Sequence, residues 1–167
     1  PAVEFVLGAL ALRHESFLRF AVATPLAALQ PGFARLAELP PDWALFGSFG
    51  MGLDGAPIGP VWSSSLGMIV GRVPMTPAPV QAFDELLIVL RRSSGLRFDE
   101  GLPGWHMYGT DIVQSARAAG QGAYAGALPC IHNDRYHGAL GADFDAAYRF
   151  IQRGDVGLVA VMPLMEG

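Results

Sequence analysis

The chain contains no lysine, one cysteine and few charged residues of either sign. All 11 basic residues are arginine, which we attribute to codon bias in the source genome rather than to function. The net charge is −4, and the largest basic cluster is the pair Arg91-Arg92. Because proteins bind nucleic acids largely through the phosphates, this charge distribution disfavours nucleic acid as a partner.

The single cysteine, Cys130, excludes an internal disulfide and a cysteine-rich zinc site. It is compatible with a reducing compartment, so we expect the protein in the cytoplasm. The sequence has no run of about 18 apolar residues, and we expect no transmembrane segment. The apolar residues 3–12 lack a preceding basic region, which argues against a signal peptide.

The composition is that of a compact globular protein. The chain has 167 residues, of which 51% are hydrophobic and 16% charged, and we expect one domain over residues 1–167. Its 21 glycines and 13 prolines are too many for a helical bundle and predict a loop-rich α/β protein.

Apolar periodicity and turn residues predict the order of elements. We expect strands at residues 3–12, 43–46, 66–70, 86–90 and 123–131, and a turn at Asp54-Gly55. Helices are expected at residues 17–39, interrupted near Pro25 and Pro31, at 111–119 and at 143–152. Thr110 is the predicted N-cap of the second helix, and Gly120 is expected to end it.

Two residues lie where catalytic groups are often found. Asp111 falls in the first turn of a predicted helix, where the dipole favours a carboxylate, and an aromatic, glycine-containing loop of the kind that lines clefts precedes it. An ordinary first-turn acid is the alternative interpretation. His132 ends a predicted strand and could bind a divalent metal, whereas a surface-loop histidine is the simpler interpretation.

Further polar and glycine-rich positions flank the apolar segments. Asp84 and Glu85 enter an apolar strand, so they either face a cleft or pair with Arg91, Arg92 or Arg97. The loop GSFGMG (residues 47–52) lacks the lysine and serine or threonine of a phosphate loop. Its glycines indicate a sharp turn or close passage of the backbone beside a ligand. Cys130 is interpreted as a small buried hydrophobic residue.

The order of these motifs along residues 43–148 carries a family resemblance. The motifs are Trp43 with Gly47 and Gly50, VQAFDE (80–85), Arg91-Arg92, LRFDE (96–100), WHMYGTD (105–111) and His132-Asn133. They resemble the second half of bacterial family-2-like glycosyltransferases with a GT-A fold. The resemblance implies an α/β protein with a partial GT-A-like mixed sheet flanked by helices.

The resemblance also implies an activity and roles for named residues. Asp111 would be the catalytic base of an inverting transfer from a nucleotide-sugar donor to a saccharide or glycoconjugate acceptor, as in polysaccharide biosynthesis. The implied substrate-binding residues are Asp84, Glu85, Trp105, His106, Tyr108, Gly47 and Gly50. A divalent metal, Mn²⁺ or Mg²⁺, is implied as cofactor, with His132 joining the metal or the diphosphate.

The part of a GT-A enzyme that precedes these motifs binds the nucleotide and carries an Asp-x-Asp-like metal motif. Only 42 residues precede Trp43, so we expect the nucleotide-binding portion to be incomplete. The nearest equivalent of the metal motif is His14-Glu15-Ser16, with Glu15 as the implied ligand. The resemblance thus leaves open a non-catalytic sugar- or nucleotide-binding remnant. Apolar surface left exposed where the missing half would pack favours self-association of the chain. A metal-dependent hydrolase using His132 and His137 ranks third.

Overall fold

A computed structural model describes residues 5–7, 26–132 and 141–154 and shows a mixed α/β architecture. In the described residues the strands are β1 (Phe5–Leu7), β2 (Trp43–Gly47), β3 (Gly50–Gly52), β4 (Pro57–Ile58), β5 (Val61–Ser63), β6 (Met68–Val70), β7 (Ala78–Phe83), β8 (Ile88–Arg91), β9 (Gly122–Ala125) and β10 (Cys130–His132). The α-helices are α1 (Leu26–Ala34), α2 (Tyr108–Ala118) and α3 (Ala142–Gly154), and short 3₁₀ turns follow α1 and β8 at Arg35–Glu38 and Arg92–Ser94. None of these helices is long and apolar enough to cross a membrane.

The larger sheet has the strand order β1-β8-β2-β9-β7-β3-β4. Strand β2 lies near its centre, antiparallel to β8 and parallel to β9. All five residues of β2, WALFG, are buried. A strand without polar side chains suits a position covered on both faces, which explains why β2 lies inside the sheet.

Two apolar layers cover the two faces of this sheet. Neighbouring residues of β8 point to opposite sides, so Ile88 packs with α2 residues such as Ile112, whereas Val89 packs with Leu36 in the 3₁₀ turn after α1. This packing against the sheet fixes the position of the first turn of α2.

The smaller sheet has the order β10-β5-β6. Its inward residues Val61 and Cys130 pack against Phe49, in the two-residue connection between β2 and β3. Its outward residues Ile131, Trp62 and Ile69 lie opposite one another in register, and all three are exposed. The small sheet therefore docks beside the turn that follows β2.

Several predicted elements are confirmed within these bounds, including the strand at 43–46, the final helix and the turn at Asp54-Gly55. Gly120 follows the end of α2 with φ +68°, as its predicted role requires. Pro31 lies inside α1 instead of interrupting it. The predicted strand at 3–12 and helix at 17–39 fall partly outside the described residues, and Glu15 lies wholly outside them.

Two further predictions are wrong. The strand at 123–131 is two strands in different sheets, because the chain turns after Gly126, whose carbonyl accepts the Leu128 N–H at 2.8 Å. Thr110 does not cap α2, since the helix begins at Tyr108 and its N-cap is Met107, which has no side-chain capping bond. Apolar continuity concealed the first break, and for the second an N-cap without a capping side chain left no local signal.

Candidate functional site

The candidate site lies around the connection between β7 and β8, which contains Asp84 and Glu85. The backbone N–H of Asp84 donates to the Phe49 carbonyl at 3.1 Å, and the N–H of Ser48 donates to the Leu87 carbonyl at 2.9 Å. The Asp84 side chain accepts a bond from the Glu85 N–H at 2.8 Å. These bonds hold the acidic pair against the turn after β2.

The Glu85 carboxylate links this connection to the loop before α2. Its Oε1 accepts a hydrogen bond from the Met107 backbone N–H, and its Oε2 lies 3.5 Å from Nδ1 of His106. The partner of Glu85 is therefore His106, whereas the sequence offered either a cleft or a pair with Arg91, Arg92 or Arg97. Arg91 instead donates to the carbonyls of Pro41 and Trp43.

The Glu85–His106 pair has altered protonation equilibria. Burial raises the pKa of Glu85, and the hydrogen bond with His106 opposes that rise. The same bond raises the pKa of His106, with a smaller contribution from Asp143 and with burial acting in the opposite direction. Both groups therefore hold their protons to a higher pH than they would in water.

Tyr108 occupies the first position of α2, between the acidic pair and Phe98. Its hydroxyl is buried and has no hydrogen-bond partner among the described residues. Burial raises the pKa of Tyr108, and the negative charges of Glu85 and Asp84 raise it further, so the phenol is neutral at physiological pH. The Phe98 ring meets the Tyr108 ring edge-on with centroids 5.9 Å apart. Tyr108 thus offers a neutral hydroxyl beside two carboxylates.

An aromatic wall continues from this loop onto α3. The His106 ring meets Phe144 edge-on at a centroid distance of 5.6 Å, and Phe144 and Tyr148 have nearly parallel rings, with centroids 6.2 Å apart. Trp105, next to His106, is 47% exposed. Sequence reasoning missed Phe144 and Tyr148, although their spacing of four residues on a predicted helix was a usable signal.

Asp111 lies in the first turn of α2 and is only 9% exposed. Its Oδ2 is buried and has no hydrogen-bond partner in the described part of the chain. Burial raises the pKa of Asp111, and repulsion from Asp99 adds to the rise, while a hydrogen bond from the Asp99 backbone opposes it. The carboxylate is therefore a stronger base than an exposed aspartate.

Packing explains the glycines that sequence analysis associated with substrate. A Cβ at Gly47 would lie 2.4 Å from the Phe83 ring, and one at Gly50 would lie 2.5 Å from the Ala82 carbonyl oxygen. Gly109, which sequence analysis placed in a loop of the kind that lines clefts, is tighter still, because a Cβ there would lie 2.3 Å from the Phe83 carbonyl oxygen. These contacts account for the three glycines without a ligand.

The described residues contain no set of ligands for the metal that the resemblance implies. His132 ends β10, and its proposed companion Glu15 lies outside the described ranges. No group of three histidine, cysteine, aspartate or glutamate side chains within residues 5–7, 26–132 and 141–154 could hold a metal ion. We therefore assign no catalytic step to a metal.

No protein-family model matches the chain, and no curated protein matches it significantly. The assignment of the candidate site therefore rests on the geometry of its residues. The structure brings together five of the residues singled out from the sequence, namely Asp84, Glu85, His106 and Tyr108 in one cluster and Asp111 one helical turn further along α2. Gly47 and Gly50 lie against β7.

Proposed function

We propose that the chain is the acceptor-binding half of an inverting glycosyltransferase with a GT-A-like fold. The observation that carries the proposal is the buried, unpartnered Oδ2 of Asp111 in the first turn of α2. A carboxylate whose basicity is raised by burial is suited to take a proton from a weakly acidic hydroxyl. The acidic and aromatic loop beside it supplies the groups that typically bind sugars.

The proposed reaction is a single displacement at the anomeric carbon of a nucleotide sugar. The acceptor oxygen forms a bond to that carbon, while the bond from the carbon to the diphosphate oxygen breaks and the electron pair leaves with the diphosphate. The proton of the acceptor hydroxyl passes to Asp111 Oδ2. Because attack occurs opposite the leaving group, the anomeric configuration inverts.

The neighbouring residues would bind and orient the acceptor. The exposed ring of Trp105 can stack against the apolar face of a pyranose. The neutral Tyr108 hydroxyl is buried and can donate to a sugar oxygen only once the groups that cover it are displaced. Asp111 Oδ2 is covered, so an acceptor must displace a neighbouring group to reach it. Residues 98–99 contact both Tyr108 and Asp111, and we expect this segment to move.

The test compares Asp111→Asn with the wild-type chain in transfer assays. Donors are UDP-, GDP- and dTDP-sugars, with and without manganese, and acceptors are a panel of aryl pyranosides. We expect the substitution to lower kcat by about 10²- to 10⁴-fold while the dissociation constant of the sugar changes little. The matched control is Asp145→Asn, an exposed first-turn aspartate of α3, which should retain wild-type turnover.

Two results would contradict the proposal. Turnover retained in Asp111→Asn would remove Asp111 from the role of base. Calorimetric binding of a donor or saccharide by a folded wild-type chain that gives no transfer with any pair would instead favour the non-catalytic remnant.

A further inference from the structure

We infer that Glu85 is a positioning residue for the first turn of α2 and does not contact the sugar. This inference deepens the proposed function, because that turn carries Asp111. It replaces the substrate-binding role that the family resemblance implied for Glu85.

The bonds of Glu85 lead to Asp111 through one backbone residue. Glu85 Oε1 accepts the N–H of Met107, and the Met107 carbonyl in turn accepts the N–H groups of Thr110 at 3.0 Å and Asp111 at 2.9 Å. The peptide groups on both sides of Met107 are thus fixed, one by Glu85 and the other by the helix. Displacement of Glu85 would shift the residue whose carbonyl begins α2.

Met107 needs an external bond to keep its conformation. It is the one non-glycine residue with positive φ, +68°, among the described residues, and side chains disfavour this region. As N-cap it has no side-chain capping bond. Its own side chain is buried with Leu102, Ala147 and Ile151 near α3, so the residue is held from one side by packing and from the other by Glu85.

Both oxygens of the Glu85 carboxylate are engaged by the protein. Oε1 bonds the Met107 amide and Oε2 faces His106. The other ionisable groups acting on the pair are Asp84 and Tyr108 around Glu85, and Asp143 of α3 near His106. Loss of the His106 proton weakens the attraction between the His106 ring and Glu85 Oε2. The rigidity of the first turn of α2 should therefore depend on pH.

The experiment measures amide hydrogen exchange at residues 106–112 in Glu85→Ala and Glu85→Gln. We expect the alanine variant to exchange at least about tenfold faster at Met107, Thr110 and Asp111, because a hydrogen bond to a charged group is lost. Glutamine keeps an oxygen acceptor of the same reach and should restore most of the protection. The control Glu38→Gln, which removes an exposed pair with Arg35, should leave these amides unchanged.

A second readout follows the His106 ring by NMR as a function of pH. In the wild type its titration midpoint should lie above that of an exposed histidine, and in Glu85→Gln it should fall. Should Glu85→Ala fail to fold, the glutamine variant and His106→Gln supply the comparison. In transfer assays a positioning role lowers kcat more than it raises KM.

The outcomes separate this inference from the proposed function. Faster exchange in Glu85→Ala without transferase activity in any variant supports the positioning role and refutes the glycosyltransferase proposal. Unchanged exchange together with weaker sugar binding would show that Glu85 contacts the ligand, and the positioning role would then be wrong whether or not the chain is a transferase.

Discussion

At the scale of single residues, burial of Asp111 makes it a stronger base but lowers the stability of the fold at neutral pH. Its carboxyl group is buried, one oxygen has no partner among the described residues, and its pKa is raised. A raised pKa in the folded state means that folding favours the protonated form. The contribution of this group to stability is therefore full below the ordinary pKa of an aspartate, and it is lost as the pH rises through the raised value.

Asp111→Asn should stabilise the fold at neutral pH while it slows transfer. The wild type must bury a charge at pH 7 that asparagine lacks, whereas at pH 3 both side chains are neutral. We expect the melting temperature of the variant to exceed that of the wild type at pH 7 and the difference to shrink as the pH falls. Differential scanning calorimetry between pH 3 and pH 7 measures this difference in melting temperature, with Asp145→Asn as the control. An Asp111→Asn variant less stable than the wild type at pH 7 would refute the argument.

At the scale of elements, the contact between the start of α2 and the end of β7 determines where the helix lies. Gly109 belongs to α2 and faces the Phe83 carbonyl so closely that even one methyl group does not fit. Two effects compete when alanine replaces this glycine. Helix propensity favours alanine by about 1 kcal/mol, but overlap with a backbone oxygen requires the helix or the strand to move.

Gly109→Ala should lower the free energy of unfolding by about 2 kcal/mol, because the overlap outweighs the gain in propensity. Gly55→Ala is the comparison, since that site is open and has a φ of +78°, which costs about 1 kcal/mol for alanine. Urea denaturation of both variants provides the measurement. A Gly109→Ala protein as stable as the wild type would show that α2 can shift away from Phe83 at little cost.

The sequence allowed α2 to be predicted but not its first residue. The apolar spacing of Ile112, Val113 and Ala116 marks a helix face, and Gly120 marks its end. The N-cap, Met107, has no capping side chain, and its N–H bonds to Glu85, 22 residues earlier. The same distance hid the Glu85–His106 pair, because local reasoning considered only arginines close in sequence.

At the scale of the whole molecule, Cys130 lies at the contact between the two sheets. Its thiol donates to Ser48 Oγ at 3.4 Å, which joins β10 of the small sheet to the turn after β2 of the large one. Burial raises the pKa of Cys130 to about 11, from an ordinary value of 9.0. The sequence correctly predicted a buried residue here, but pairing between sheets depends on tertiary contacts that it did not specify.

Labelling of Cys130 should be slow until the sheets separate. A rise of about two pKa units leaves roughly 100-fold less thiolate at pH 8, and burial restricts access further. We expect an aromatic disulfide reagent to react at least about 100-fold more slowly with the native chain than with the chain in guanidinium. The chain has one cysteine, so the signal is unambiguous. Equal rates would mean that the small sheet does not protect this thiol.

The position of β9 between β2 and β7 has a consequence for synthesis on the ribosome. Both neighbours leave the exit tunnel well before residues 122–125, yet neither can pair with β9 until those residues arrive. The nascent chain therefore holds two strand groups that are not yet paired side by side, β1-β8-β2 and β7-β3-β4, and α2 emerges before the sheet that it covers is continuous. Insertion of β9 joins the groups by long-range pairing, a slow kind of step. The surroundings of Asp111 are thus completed late in translation, and a nascent chain halted before β9 would leave both groups exposed to chaperones.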